Sequence, residues 1–329
     1  MTYQSVVTGA AGFIGSHLCE RLLAEGHQVT GIDSFTDYYD PALKWRNLTT
    51  ALAHPNFRLI QADLLDLDCA ELLRDVDYLF HQAAQAGVRA SWGANFHHYS
   101  HNNIDATQVL LEAARTSRQL RRFVFASTSS IYGDAETFPT AETVAPRPVS
   151  PYGITKLAAE RLGQLYWENF GVPFVALRYF SVYGPRQRPD MGFHKFIRSI
   201  LAGREIEVYG DGQQTRDFTY VLDIVEANLL AALATGPVGG EVINVGGGNR
   251  VVLSEVLDLL GSLTGLPVYR RQQNCQAGDA RHTAADITKA QKLLGFAPRY
   301  DLALGLAHQI ASLKPAGELV RVASLVGAA

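Results

Sequence analysis

Val6-Val7-Thr8-Gly9-Ala10-Ala11-Gly12-Phe13-Ile14-Gly15-Ser16-His17-Leu18 decides the fold. A β-branched run leads into three glycines spaced three apart. An amphipathic run follows, with Ile14, Leu18 and Leu22 at i, i+4 and i+8. The pattern predicts strand, tight turn, helix. Gly9 suits the turn because glycine tolerates positive φ at little cost. Gly12 has no side chain to hold a phosphate off the backbone, and Gly15 lets the new helix pack closely on the sheet. The helix start offers free N–H groups and a positive dipole end to a pyrophosphate. Phe13 and Ile14 sit in the same turn and count as candidate cofactor contacts.

The next apolar run, Gln28-Val29-Thr30-Gly31-Ile32-Asp33, ends in an acid 18 residues past Gly15. A dinucleotide-binding sheet puts there the carboxylate that holds an adenosine ribose 2′-hydroxyl. The alternative for Asp33 is a turn residue closing a strand. No Arg or Lys lies between Asp33 and Lys44 to receive a 2′-phosphate, so the expected cofactor is NAD rather than NADP. Further strands are expected at 57–64, 76–81, 122–128 and 172–177, with helices at about 95–117 and 152–170. This alternation predicts an α/β fold, a doubly wound parallel sheet of the Rossmann type. Gly9, Asp33, Asp63, Ala83 and Ser127 to Ser130 all fall at carboxyl ends of strands, where such sheets bind ligands. Asp63 either meets the adenine amino group or caps the next helix. The small residues of Gln82-Ala83-Ala84-Gln85-Ala86-Gly87-Val88-Arg89 suit backbone lying against a cofactor.

From Tyr183 the texture changes, and Gly184-Pro185-Arg186-Gln187-Arg188-Pro189-Asp190 reads as an irregular polar loop. Residues 1–182 are therefore expected to bind the cofactor. Residues 183–329 are expected to form a smaller, mainly substrate-binding α/β domain, with a strand near 242–248 returning to the first sheet. The triple glycine Gly246-Gly247-Gly248 is not read as a second phosphate loop.

The chain has 329 residues, is 47% hydrophobic and 19% charged, and carries a net charge of −3. These values fit a globular protein and advertise neither a nucleic-acid nor an anionic-membrane partner. A strand begins within the first few residues, leaving no room for a signal peptide ahead of it. No apolar run reaches the length of a membrane span. Cys19, Cys69 and Cys275 match no zinc spacing and are expected to be reduced packing residues of a cytoplasmic protein. His97, His98 and His101 cluster, but no acid or cysteine nearby in sequence completes a ligand set, so no metal is expected.

Tyr152-Gly153-Ile154-Thr155-Lys156 puts Tyr and Lys at i and i+4, on one side of a helix. A lysine ammonium beside a phenol favours phenolate, as does an oxidised nicotinamide. Tyr152 is thus a candidate general base. Together with the glycine turn and the strand-end hydroxyls at Ser127 to Ser130, this pattern resembles the extended short-chain dehydrogenase/reductase family over nearly the whole chain. The resemblance implies that Thr128 shares the substrate hydroxyl proton with Tyr152, and that Lys156 also holds the nicotinamide ribose. It adds Ser34, Leu64, Gln82, Ala84, Asn102, Ser127, Tyr179 and Val182 to the NAD contacts. It makes Gly87, Val88, Arg89, Ser129, Ser130, Ser181, Tyr209, Arg216 and Asp279 contacts of a UDP-sugar. Many members carry Asn where this chain has Ser181. The family's usual homodimer would use the helices at 95–117 and 152–170.

Dehydratases of that family carry an Asp-Glu pair after the catalytic Thr, and decarboxylases a Glu two positions after it. Ser129-Ser130 supplies neither acid, which leaves C4 epimerisation. The segments 82–89, 127–133 and 184–191, with Asp37-Tyr38-Tyr39-Asp40, resemble the UDP-glucuronate 4-epimerases. That resemblance implies oxidation at C4, rotation of a 4-keto sugar and return of the hydride to its other face. Arg188 is expected to read the substrate carboxylate, with Arg186 as a nearby rival. A UDP-glucose 4-epimerase and a non-catalytic NAD-sensing protein are the alternatives.

Overall fold

The computed structural model describes residues 2–274, 278 and 280–314. Its central sheet has strands β1 (Gln4–Thr8), β2 (Gln28–Asp33), β3 (Phe57–Gln61), β4 (Tyr78–His81), β5 (Arg122–Thr128) and β6 (Phe174–Tyr179), with Val242–Val245 as the seventh. Their spatial order is Val242–Val245, β6, β5, β4, β1, β2, β3. Every pairing is parallel. The chain winds outward from β1 to β3, then crosses to β4 and winds the other way. That reversal opens a crevice at the carboxyl ends of β1 and β4. All residues of β4 and β6 are buried, as a sheet covered on both faces requires.

Helix α1 (Phe13–Ala24) starts where expected, with Gly12 ahead of it and no side-chain cap. Gly9 has φ +67°, and a Cβ there would come within 2.7 Å of the Ala83 nitrogen. A Cβ on Gly15 would run into the Gly9 carbonyl. The glycines thus let three backbone segments close on one another, and Gly15 packs on the turn itself rather than on the sheet. The strand expected at 172–177 begins at Phe174, because Pro173 has no N–H for the ladder. The helix expected at 95–117 runs from Phe96 to Thr116 with a π segment at Ser100–Asp105. The helix Pro151–Phe170 has a proline in its first turn, a Ser150 cap bonded to the Gly153 N–H, and Gly171 at φ +72° beyond its end.

Past Tyr183 the chain builds a roof over the carboxyl ends. Short strand pairs join Ile206–Tyr209 to Arg270–Gln273, Thr215–Arg216 to Val251–Val252, and Val182–Tyr183 to Thr219–Tyr220. Helices Gly192–Leu201, Leu253–Thr264 and Leu302–Leu313 pack around them. More than a strand returns to the first sheet. The helix Val221–Leu233 lies on α1, tied by an Arg21–Glu226 ion pair at 3.0 Å. Nine of its thirteen residues are buried, so it packs on more than one side.

Cys19 and Cys69 are free, buried thiols; Cys275 lies outside the described residues. Among the described residues, no helix is long and apolar enough to cross a membrane. The triple glycine accommodates Asp217: the Gly247 and Ala285 N–H groups donate to its two oxygens at 2.7 and 3.0 Å. Asp217 is therefore a buried loop tie.

Candidate functional site

Two hollows meet above the sheet. A narrow crevice of about 210 Å³ runs from Gly9 and Gly12 past Asp33 to Lys156. A wider cavity of about 1420 Å³ lies under the roof. Both are walled by Phe13, Tyr38, Tyr152 and Arg188, so the junction holds the candidate base and the candidate carboxylate reader together.

Along the crevice, Gly9, Gly12, Ile14, Gly15 and Asp33 line the inner end, with Ser34, Asp63 and Leu64 beyond. Ala83, Ala84 and Asn102 line it as well. The Asp33 carboxylate is engaged on both oxygens: the Ala11 N–H donates to Oδ2 at 3.1 Å and the Phe35 N–H to Oδ1 at 2.8 Å. Lys44, the first cation after Asp33 in sequence, folds back to put Nζ 3.6 Å from Asp33 Oδ1, with both side chains buried. A helix over Pro41–Asn47 carries it there. The side chain that repels a 2′-phosphate is thus balanced by one that would attract it. Asp33→Ser is expected to improve NADP⁺ binding relative to NAD⁺ by about tenfold or more, read by titration of each dinucleotide. An unchanged ratio would show that Asp33 does not set the preference.

Of the two roles the sequence left open for Asp63, the structure shows the cap, and a second bond the sequence did not announce. Its Oδ1 accepts the Leu65 N–H at 3.0 Å and caps a short turn, and its Oδ2 meets His101 Nε2 at 3.0 Å. The acid missing from the histidine cluster in sequence is thus supplied from the turn after β3. Among the described residues, no three metal-ligating side chains gather.

Three expected side-chain contacts turn away from the crevice. The Ser127 hydroxyl donates inward to Glu160 Oε2 at 2.7 Å, and Glu160 is held by Arg178 Nη2 at 2.6 Å. The Tyr179 hydroxyl and the Gln82 amide both bond Asn228, on the helix that returns to α1. What these residues offer a ligand is backbone or ring. Val182 lies on the wider cavity. The residue next to Asn102 carries more of the structure: the π segment turns Asn103 inward, where it bonds the Gln85 N–H and carbonyl at 2.7 and 3.1 Å. Nothing in the local sequence pattern announces a π turn, which needs tertiary support.

Thr128 ends β5 with its hydroxyl accepting the Ser130 N–H and donating to Ser130 Oγ, at 3.1 and 3.2 Å. It also faces the Tyr152 phenol. Burial pushes that phenol above its ordinary pKa; the Arg188 charge and the Thr128 hydrogen bond pull it back. The expected lowering by Lys156 is not what the structure shows. Lys156 is itself buried, with Nζ 4.1 Å from the centre of the Phe125 ring. Burial lowers its pKa to about 7, against the favourable charge of Glu160. A folded pKa below the unfolded value means that the unfolded chain holds the extra proton between about pH 7 and pH 10. Stability from this group therefore rises with pH across that window. Lys156→Met should melt higher than wild type by the largest margin at neutral pH, about a few kcal/mol, and the margin should shrink toward pH 10. Thermal melts across pH check this; a margin that grows with pH would contradict a destabilised lysine.

In the wider cavity the structure brings Gly87, Val88, Ser129, Ser130, Ser181 and Arg216 onto one surface. Arg89 stacks on Tyr209, with its guanidinium carbon 4.3 Å from the ring centre. Arg216 Nη1 donates to the Thr215 and Arg281 carbonyls. Asp279 lies outside the described residues. The rival Arg186 is removed from the site: its guanidinium reaches Glu20 at 2.7 Å and Ser16 at 3.3 Å, both on α1. Arg188 remains at the junction, but its Nε and Nη2 already hold Asp190, each at 2.9 Å.

A model of the NAD-dependent epimerase/dehydratase family matches residues 5–246. A Bacillus subtilis protein described as an uncharacterized UDP-glucose epimerase is 46% identical over 309 residues, 94% of this chain and 97% of its own. The UDP-glucuronate 4-epimerase of Thermodesulfobacterium geofontis is 38% identical over 96% of this chain and 98% of its own. The crystal structure of Bacillus cereus UDP-glucuronic acid 4-epimerase with UDP-glucuronic acid and NAD superposes with a TM-score of 0.91 at 42% identity, covering 94% and 98% of the two chains.

Proposed function

This chain belongs to the NAD-dependent epimerase/dehydratase family, and we propose that it interconverts UDP-glucuronate and UDP-galacturonate by inverting C4. The observation that carries this reading is the junction of the two hollows. There Tyr152 and Thr128 face one another beside a guanidinium, and the two residues after Thr128 are Ser129 and Ser130 rather than acids. The glycine turn fits a dinucleotide: Gly12 has no side chain over the start of α1, and the crevice leads from there to Tyr152 and Lys156.

Bound NAD supplies the acceptor that takes the C4 hydride and returns it, and its oxidised ring adds positive charge to the site. The protein residues handle the proton and the orientation. Tyr152, as phenolate, takes the proton of the 4-hydroxyl, with Thr128 in the hydrogen bond. Arg188 and the oxidised cofactor favour that phenolate against the cost of burial. Lys156 holds the nicotinamide ribose. Once C4 is a ketone, a uronate is a β-keto acid and can lose CO₂; Arg188 fixes the plane of the carboxylate against that loss. The sugar turns about its bond to the pyrophosphate, with the UDP end held by Tyr209, Arg89 and Arg216. Tyr152 then returns the proton.

The same reading makes the protein a homodimer through its helices at 96–116 and 151–170. Ile154, Leu165 and Phe96 on these helices are exposed apolar side chains, which supports burial against a second copy. The decisive assay is conversion of UDP-glucuronate to UDP-galacturonate by the purified protein with no net change in NAD. Release of CO₂ or of a dehydrated sugar as the main product, or no turnover, would count against the proposal.

A further inference from the structure

Arg188 shares the junction with a second charge. Asp190 takes its Nε and Nη2 donors, and Asp190 Oδ2 also accepts from the Tyr38 hydroxyl at 3.3 Å. Tyr38 comes from the loop after β2, so the pair is fixed by a contact from across the crevice. A guanidinium has five donors on a planar fork. Asp190 occupies one edge, and Nη1 has no hydrogen-bond partner among the described residues. Arg188 lines both hollows.

Charge then decides what the site tolerates. A lone, mostly buried cation penalises any ligand that strips its water without bringing an anion. Here the anion is already built in, and the Arg188–Asp190 pair is neutral before any sugar arrives. The remaining groups around the sugar end, Thr128, Ser129 and Ser130, are hydroxyls that serve a hydroxymethyl as well as a carboxylate. We propose that Asp190 is a specificity-determining residue: as the counter-charge of Arg188, it lets the site accept UDP-hexoses with a neutral C5 substituent beside the uronate. Asp190 thereby lowers the preference that Arg188 alone would impose. This rests on the reading of Arg188 as the group that receives the substrate carboxylate.

The test compares kcat/KM for UDP-glucuronate and UDP-glucose in the NAD-loaded wild type, Asp190→Asn, Asp190→Glu and Arg188→Leu. In Asp190→Asn the ratio of uronate to neutral sugar should rise by about tenfold or more, the size of one removed charge at close range. Asp190→Glu should return it toward wild type. A ratio that does not rise in Asp190→Asn, or rises equally in Asp190→Glu, overturns the role of Asp190. The ratio should fall in Arg188→Leu; if it does not, the reading of Arg188 itself fails, and the two failures are thus told apart. Should Asp190→Asn not fold, the wild type decides. UDP-glucose binding to the NAD-loaded protein within about tenfold of UDP-glucuronate supports the proposal, and a wider gap overturns it.

Discussion

Replacing Tyr152 by phenylalanine is expected to slow epimerisation by about 10²–10⁴-fold, the usual size of a lost acid–base group, while NAD and the UDP-sugar still bind. The ring stays: it packs edge-on against Tyr99 with centroids 6.3 Å apart. Only the hydroxyl goes. Its partner is not stranded, because Thr128 keeps both of its bonds to Ser130. The loss should therefore fall on kcat and leave UDP affinity and NAD content near wild type. The pH profile gives a second reading. Burial holds the phenol above its ordinary range, so wild-type turnover should climb with pH as phenolate forms. The residual activity of Tyr152→Phe should lack that limb. A variant that epimerises near the wild-type rate would remove Tyr152 from the chemistry.

What was legible in the sequence is what the chain encodes locally. The turn at Gly9, the start of α1, the acid closing β2 and the Tyr-Lys spacing all depend on residues within a few positions of one another. Periodicity and glycine placement report such features directly. Asp33, Asp63, Thr128, Tyr152, Lys156 and Arg188 line the two hollows. What was not legible arises between distant segments. Lys44 reaches Asp33 because a proline-started helix turns it back. Tyr38 meets Asp190 across 152 positions. Ser127 looked like a strand-end hydroxyl facing the cofactor. The buried Glu160–Arg178 pair claims it instead, since two buried charges need every available donor. The same logic inverted the expectation for Lys156. Spacing put an ammonium near a phenol, but spacing says nothing of burial, and burial is the larger influence on both groups.

Arg188→Leu should weaken UDP-glucuronate binding by about 2–5 kcal/mol, roughly 30- to 5,000-fold, while UDP and NAD bind as before. Leucine keeps bulk at the junction of the hollows and removes the charge. The loss has two parts. The substrate carboxylate loses the free edge of the guanidinium, and it meets an Asp190 that no longer has its cation. In wild type, burial works against the Asp190 carboxylate, but Arg188 keeps its carboxyl below the usual range. Without Arg188 that carboxylate must take up a proton or repel the incoming one. The effect should therefore be larger at neutral pH than in mild acid, where Asp190 is protonated. Arg188 also favours the Tyr152 phenolate, so the rising limb of the rate profile should move to higher pH in the variant. A carboxylate no longer fixed in plane should let some 4-keto intermediate lose CO₂. Calorimetry with UDP, UDP-glucuronate and UDP-glucose separates these effects from a general loss of structure. If Arg188→Leu binds UDP and UDP-glucuronate with the wild-type ratio of affinities, the carboxylate is held elsewhere in the cavity.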